Sequence, residues 1–184
     1  MGKNYFIADT HFGHERIIQI CNRPFANIQD MNQKLIDNWN NKVNDEDTVY
    51  MLGDFSFKMQ KTEVIKILKQ LKGHKVLIRG NHDKYVGQRD FDDCFDGGIY
   101  DYLQITENKQ QIILCHYPII DYAGMYYGAK MIYGHIHDKY IPHKDMYCVS
   151  VECVNYKPVT LEEIKQIYSN KEIKNDIVLS KKWN

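Results

Sequence analysis

One pattern constrains this chain more than any other: a short apolar run of strand character followed by a polar motif of ligand-type residues, five times over. The runs occupy residues 5–8, 48–52, 75–78, 111–114 and 131–133. The motifs that follow are Asp9-Thr10-His11, Gly53-Asp54, Gly80-Asn81-His82-Asp83, Cys115-His116 and Gly134-His135-Ile136-His137. Strand ends are rigid, so five of them at one sheet edge would hold carboxylate, imidazole and amide groups in fixed mutual geometry. Open α/β sheets present such an edge at the C-terminal ends of their strands.

Apolar spacing between the runs predicts helices. A short one falls within 13–21. A second begins at Asp30 and carries Met31, Leu35, Ile36 and Trp39. A third begins at Thr62, turns Val64, Ile65, Ile67, Leu68 and Leu71 inward, and stops at Gly73; a late one covers 160–168, capped by Thr160. Residues 99–105 and 110–114 outline a β-hairpin around Glu107-Asn108-Lys109. Further strands are expected at 146–151 and 177–179. Early strands alternate with helices and later ones follow one another directly, which suggests an α/β (α+β) arrangement of two packed sheets with helices outside.

With 184 residues and no low-complexity linker, a single domain over 1–184 is expected. The 43% apolar and 26% charged content is that of a soluble globular protein, and the formal net charge of zero predicts no duplex nucleic-acid or membrane-surface partner. Five scattered cysteines without CxxC spacing suit buried thiols in a reducing compartment. The N-terminus reads as the start of a strand, not a signal peptide, and no apolar stretch reaches membrane-spanning length. A cytoplasmic location is the expectation.

Singly, the motifs are modest signals. Asp9 and His11, two apart past a strand, can face one cation while Thr10 points away. Asp54 has two oxygens to share between ions. Asn81 offers a neutral oxygen and His82 a proton donor. His135 and His137, at i and i+2 on an extended segment, share a side. All five together, each at a predicted strand end, point to a metal centre.

This set of motifs, Asp9-x-His11, Gly53-Asp54, Gly80-Asn81-His82-Asp83, His116 and Gly134-His135-x-His137, resembles the signature of the calcineurin-like metallophosphoesterases over nearly the whole chain. Asp9-Thr10-His11-Phe12-Gly13-His14, with Arg23-Pro24-Phe25 downstream, is similar to a small bacterial and phage branch of that family. The resemblance implies a four-layer α/β/β/α sandwich of two mixed sheets flanked by helices. It implies one metal held by Asp9, His11 and His137, another by Asn81, His116 and His135, and Asp54 between them. It implies in-line attack of a metal-activated hydroxide on a phosphoester, with His82 at the leaving group and Asp83 orienting His82 or capping the next turn. Two divalent ions with only two carboxylates leave a charge of about plus two to hold an anion. A thiolate-free N/O shell suits Mn²⁺, Fe, Zn²⁺ or Ni²⁺, with Mn²⁺ the first choice.

Phosphate contacts are sought at His14, Arg23 and Arg79, the arginines through their planar forks. Tyr122, Tyr126 and Tyr127 are open to stacking on a base or to core packing. Phe55-Ser56-Phe57 stands where Ser/Thr phosphatases carry an Asp-Arg-Gly extension, which argues against phosphoprotein substrates. The expected substrate is a small nucleotide-like phosphodiester. A phosphomonoester, a single-stranded nucleic acid, or a catalytically silent binding scaffold are the alternatives; the natural substrate and oligomeric state stay open.

Overall fold

Strand pleating sends alternate side chains to opposite faces, and a sheet apolar on both faces must be covered on both. A computed structural model, describing residues 2–169 and 171, shows how this chain does so. Strands β1 (Asn4–Ile7), β2 (Thr48–Met51), β3 (His74–Ile78) and β4 (Ile99–Tyr100) form a parallel sheet in that order. Strands β5 (Tyr102–Glu107), β6 (Gln110–Cys115), β7 (Lys130–Tyr133) and β8 (Met146–Cys148) form a second sheet, antiparallel between β5 and β6 and parallel thereafter. An antiparallel bridge between Phe6 and Val159 makes the first sheet mixed at its edge.

On one face of the first sheet, Tyr5, Ile7, Val49, Met51 and Leu77 pack against helices. These are α1 (Glu15–Ile20), α2 (Ile28–Asn40), α3 (Lys61–Leu68) and α4 (Arg89–Asp92), which contribute among others Ile17, Trp39, Leu68 and Phe91. On the other face, Phe6, Ala8, Leu52, Val76 and Ile78 belong to a second buried cluster, which takes in Ile113, Leu114, Ile132, Tyr133 and Cys148 from both faces of the second sheet. Helix α5 (Leu161–Ser169) adds Leu161, Ile164 and Tyr168 to this inter-sheet core. The Tyr168 hydroxyl accepts the Cys148 N–H at 3.0 Å and donates to the Cys148 carbonyl at 2.9 Å. The architecture is thus two mixed sheets, face to face, with flanking helices.

The chain crosses between sheets just after β8. Val149 N–H donates to the Tyr133 carbonyl in the second sheet, whereas Ala8 N–H donates to Val149 O and Val151 N–H to Ala8 O in the first. The expected strand over 146–151 is therefore cut short at Cys148, and its continuation delivers Ser150 and Glu152 to the rim where β1 ends.

Other expectations shift for local reasons. The run 99–105 is not one hairpin arm: Ile99–Tyr100 pairs with β3, and the chain turns at Asp101 into β5 of the other sheet. Both halves are apolar enough for a strand, so periodicity is blind to the break. Helix α2 starts before Asp30, because the Asn27 side chain accepts the Asp30 N–H at 2.8 Å and is the cap. Helix α3 starts at Lys61, with Gln60 N–H meeting Glu63 Oε2 at 3.3 Å in place of a Thr62 cap. Thr160 does cap α5, accepting Glu163 N–H at 3.3 Å. The short helix α4 and a 3-10 turn at Met125–Tyr127 were not anticipated. The strand expected at 177–179 lies outside the described residues.

Glu163 ties α5 to the end of α2 by accepting the Lys42 ammonium at 2.6 and 2.7 Å, together with the Thr160 N–H at 2.8 Å. Burial would raise its carboxyl, but Lys42 and Thr160 outweigh that and leave it below the usual range. A carboxylate lowered on folding stabilises the native state above its unfolded pKa, and that stability is lost as pH falls through the lowered value. Urea unfolding from pH 6 to pH 3 is expected to show the gap between the native protein and Glu163→Gln closing toward the acid end. A gap independent of pH would mean the ion pair does not contribute.

Candidate metal centre

Because β1, β2, β3, β6 and β7 are mutually parallel within their sheets, their C-terminal ends meet at one rim, and the five motifs meet with them. The turns there are sharp. Asp9, His11, Asp54, His135 and His137 all have positive φ, from 50° to 70°, a region costly for residues with a Cβ. Gly53 and Gly80 let the β2 and β3 loops touch: a Cβ on Gly53 would lie 2.6 Å from His116 Nδ1 and 2.7 Å from the Gly80 Cα. One on Gly80 would collide with Asp54 Oδ1.

Asp9 is fully buried. Its Oδ2 accepts the Ser150 hydroxyl at 2.5 Å and the His135 N–H at 2.8 Å, while its Oδ1 has no partner. Beside it, buried His11 has an equally unpartnered Nε2. Asp54 Oδ1 accepts the His82 N–H at 2.8 Å, and its Oδ2 is ringed by three imidazole Nε2 atoms: His116 at 3.6 Å, His11 at 3.7 Å and His82 at 3.9 Å. His116 Nδ1 lies 2.8 Å from the Leu52 carbonyl, so Nδ1 carries the proton and Nε2 faces the site, 3.1 Å from Asn81 Oδ1. His137 Nδ1 lies 3.2 Å from Glu152 Oε1.

Among the described residues three groups of three result, one of them, Cys21, His137 and Glu152, sharing His137 with the first of the two at the rim. Asp9, His11 and His137 bring one ligand atom each to within 4.8 Å of one another, and so do Asp54, His116 and His135. Orphaned buried atoms beside a carboxylate ringed by imidazoles fit divalent cations, since a protein otherwise pairs such atoms. The electrostatics agree. Burial, together with nearby His137 and Arg23, pushes His11 down to about 2, leaving a neutral ring with a free lone pair. Burial pushes Asp9 up to about 6 against the pull of His116 and the Ser150 hydrogen bond, so an adjacent cation relieves it. Burial lowers His135 as well. His137 moves the other way: burial would lower it, but the Glu152 hydrogen bond and Asp9 raise it further.

His82 stands at the mouth, its side chain 38% exposed and its ring edge-on to Phe57 with centroids 4.8 Å apart. Asp83 does not touch His82's side chain. Its buried carboxylate accepts three backbone N–H groups, from Gly80 at 2.8 Å and from Asp54 and Phe55 at 3.0 Å each. Of the two roles expected for Asp83, orienting His82 or capping the next turn, these contacts speak for a backbone role, a clamp of the β2 loop to the β3 loop. Arg23, sought as a phosphate clamp, is 4% exposed and points inward, because its donors go to the Glu152 carboxylate and to the Asp9 and Thr10 carbonyls. Arg79 is exposed but paired with Asp101, Nε at 2.7 Å. His14 does reach the rim, with Nδ1 3.4 Å from His11 Nδ1 and its ring 4.1 Å from Phe57. Tyr122 is buried, its hydroxyl on the Ala129 and Asp145 carbonyls, and Tyr126 and Tyr127 are exposed in the turn before β7, at the opposite end of that strand from the rim.

Sequence reasoning placed the Ser150-Val151-Glu152 strand end at the same rim but gave it no role; the structure puts Ser150 on Asp9 and Glu152 on His137. It passed over Phe57 and Tyr117. Tyr117 is 45% exposed, with its ring 4.7 Å from His135 and its hydroxyl 3.5 Å from Asn81 Oδ1.

A two-sheet fold with an imidazole and carboxylate cluster at its strand ends is suited to holding divalent metal ions. The family model for calcineurin-like phosphoesterases matches residues 3–183, and the chain belongs to that family. An uncharacterized protein of Methanocaldococcus jannaschii is 39% identical over 175 residues, covering 91% of this chain and 92% of its own. The crystal structure of a protein of unknown function from Aquifex aeolicus superposes with a TM-score of 0.70 at 31% identity, covering 91% of this chain and 100% of that one. The Gene 66 protein of Mycobacterium phage L5 is 33% identical over 85 residues, 45% of this chain and 41% of that protein. Membership makes metal-dependent phosphoester hydrolysis the reaction class. Among the described residues, no helix is long and apolar enough to cross a membrane.

The loop clamp can be tested directly. Asp83→Ala leaves three buried N–H groups unpaired and is expected to cost about 3 kcal/mol or more in urea unfolding. Full stability with slowed turnover would instead return Asp83 to the side of His82.

Proposed function

We propose that this chain is a phosphodiesterase for a small, nucleotide-like diester, working with two divalent ions, Mn²⁺ the first candidate. The observation that carries the reading is Asp54 Oδ2, facing the Nε2 atoms of His116, His11 and His82 within 3.9 Å, together with an unpartnered buried Oδ1 on Asp9 at the same rim. Asp9, His11 and His137 would hold one ion and Asn81, His116 and His135 the other, with Asp54 shared. When bound, such ions supply Lewis acidity toward phosphoryl oxygens and a strong nucleophile from water at neutral pH.

The chain's own groups do the rest. His82 is exposed enough to meet substrate, and its backbone is tied to Asp54, so its ring stands over the site. From there it gives a proton to the departing alkoxide oxygen. Attack and departure are in line, with no covalent enzyme intermediate. Phe57 and Tyr117 lie beside His82 and His135 respectively, and offer rings on which a planar ester group stacks. That arrangement favours an aryl or nucleoside diester over a small alkyl monoester. Unpaired Cys21, Cys94, Cys115, Cys148 and Cys153 suit a reducing cytoplasm.

The test is hydrolysis of bis-aryl and mono-aryl phosphates by the Mn²⁺-loaded protein, alongside Asp54→Asn and His82→Gln. Diester turnover is expected to exceed monoester turnover. Asp54→Asn should lose metal and activity together. His82→Gln should keep metal and slow about 10²–10⁴-fold, least with good leaving groups. Undiminished turnover after exhaustive chelation would refute the metal reading, and monoester preference would refute the diester one.

A further inference from the structure

The buried ion pair between Arg23 and Glu152 lies behind the rim and touches two of the three residues of the first ligand group, Asp9 and His137. Arg23 and Glu152 are joined with Nε at 2.9 Å and Nη2 at 2.7 Å from Oε1, their side chains 0% and 5% exposed. The same Oε1 meets His137 Nδ1 at 3.2 Å. Arg23 Nη2 also donates to the Asp9 carbonyl at 2.8 Å, and Nη1 to the Thr10 carbonyl at 3.0 Å and to Met31 Sδ at 3.4 Å. Four guanidinium hydrogens are used in these hydrogen bonds, and Nη2 also lies at ion-pair distance from Oε1. The fork therefore holds the backbone of the Asp9-Thr10-His11 turn on one side and the acceptor of the His137 ring on the other.

We propose that Glu152, anchored by Arg23, is a positioning residue that fixes the His137 ring and the Asp9–His11 turn in one geometry for cation binding. The inference rests on the two-ion reading above and goes beyond it, because neither residue belongs to the five motifs. A carboxylate on Nδ1 holds that nitrogen protonated and turns Nε2, with its lone pair, toward Asp9 and His11. The turn needs the second anchor because Asp9, His11 and His137 all sit at positive φ, a conformation that relaxes unless its carbonyls are held. The other group is built differently: His116 rests on the Leu52 backbone carbonyl and contacts neither Arg23 nor Glu152. Loss of the pair should therefore be felt at one ion and not the other.

Removing one partner leaves a buried charge and risks unfolding, so the main variant removes both. Arg23→Met/Glu152→Leu replaces the pair with apolar groups of similar volume, a change that buried pairs commonly tolerate. Glu152→Gln serves as the second variant, since it keeps an oxygen for His137 and Arg23. Mn²⁺ alone is titrated calorimetrically into each metal-stripped protein, with thermal melts run in chelator. The double variant is expected to melt cooperatively and to bind one of two Mn²⁺ ions about 10–100-fold more weakly, the other within about threefold of wild type. Glu152→Gln is expected to lose distinctly less at the same step. Unchanged affinity at both steps, or equal loss at both in a folded variant, overturns the positioning role. A wild-type protein that takes up no Mn²⁺ overturns the two-ion reading itself, before any variant is compared.

Discussion

The apolar contact between the two sheets is the constraint on which the rest depends. Phe6, Leu52 and Ile78 of the first sheet and Leu114, Tyr133 and Cys148 of the second are all buried in one cluster. Each sits at or next to the last residue of its strand, so the face that expels water also brings the strand ends together. At about 25 cal/mol per Å² of apolar surface, burial on this scale supplies a driving force that the polar rim does not supply for itself. The rim is a consequence of the core.

At the rim the local energetics run the other way. Five of the residues that meet there hold positive φ, and two have buried polar atoms with no protein partner. Such features cost about 1–3 kcal/mol each and persist only where the surroundings over-determine them. The surroundings here are carboxylates used as clamps on backbone: Asp83 across the β2 and β3 loops, and Glu152 through Arg23 on the β1 turn. Each draws its cohesion from buried, charge-assisted hydrogen bonds. These contacts hold the β1, β2 and β3 loops to one another at the rim.

Much of the site was legible because ligand chemistry restricts residue type strongly. Asp9, His11, Asp54, Asn81, His116, His135 and His137 stand out as carboxylates, imidazoles and an amide at the ends of apolar runs, and the fold brings all of them to one rim. Arginine carries no such restriction: Arg23 and Arg79 look alike in sequence, yet one is buried behind the site and the other is solvated on Asp101. Asp83 sits beside His82 in the chain, but its acceptors point away because three N–H groups from two loops need it more. Helix starts were misplaced at α2 and α3, since Asn27 and Gln60 compete with Asp30 and Thr62 as first residues and only the tertiary approach of the chain decides between them.

The amino-acid sequence by itself determined the family, the two-sheet architecture and the identity of the side chains offered to a metal, because apolar periodicity and donor chemistry are local properties. Tertiary structure decided which polar residues act on one another at long range. The break of the 99–105 run between two sheets, the crossing of the chain from one sheet to the other after β8, and the link from Arg23 to Glu152, 129 positions apart in the chain, all follow from how the sheets stack. Proximity of that kind is set by the packing of the whole core, and no local pattern encodes it.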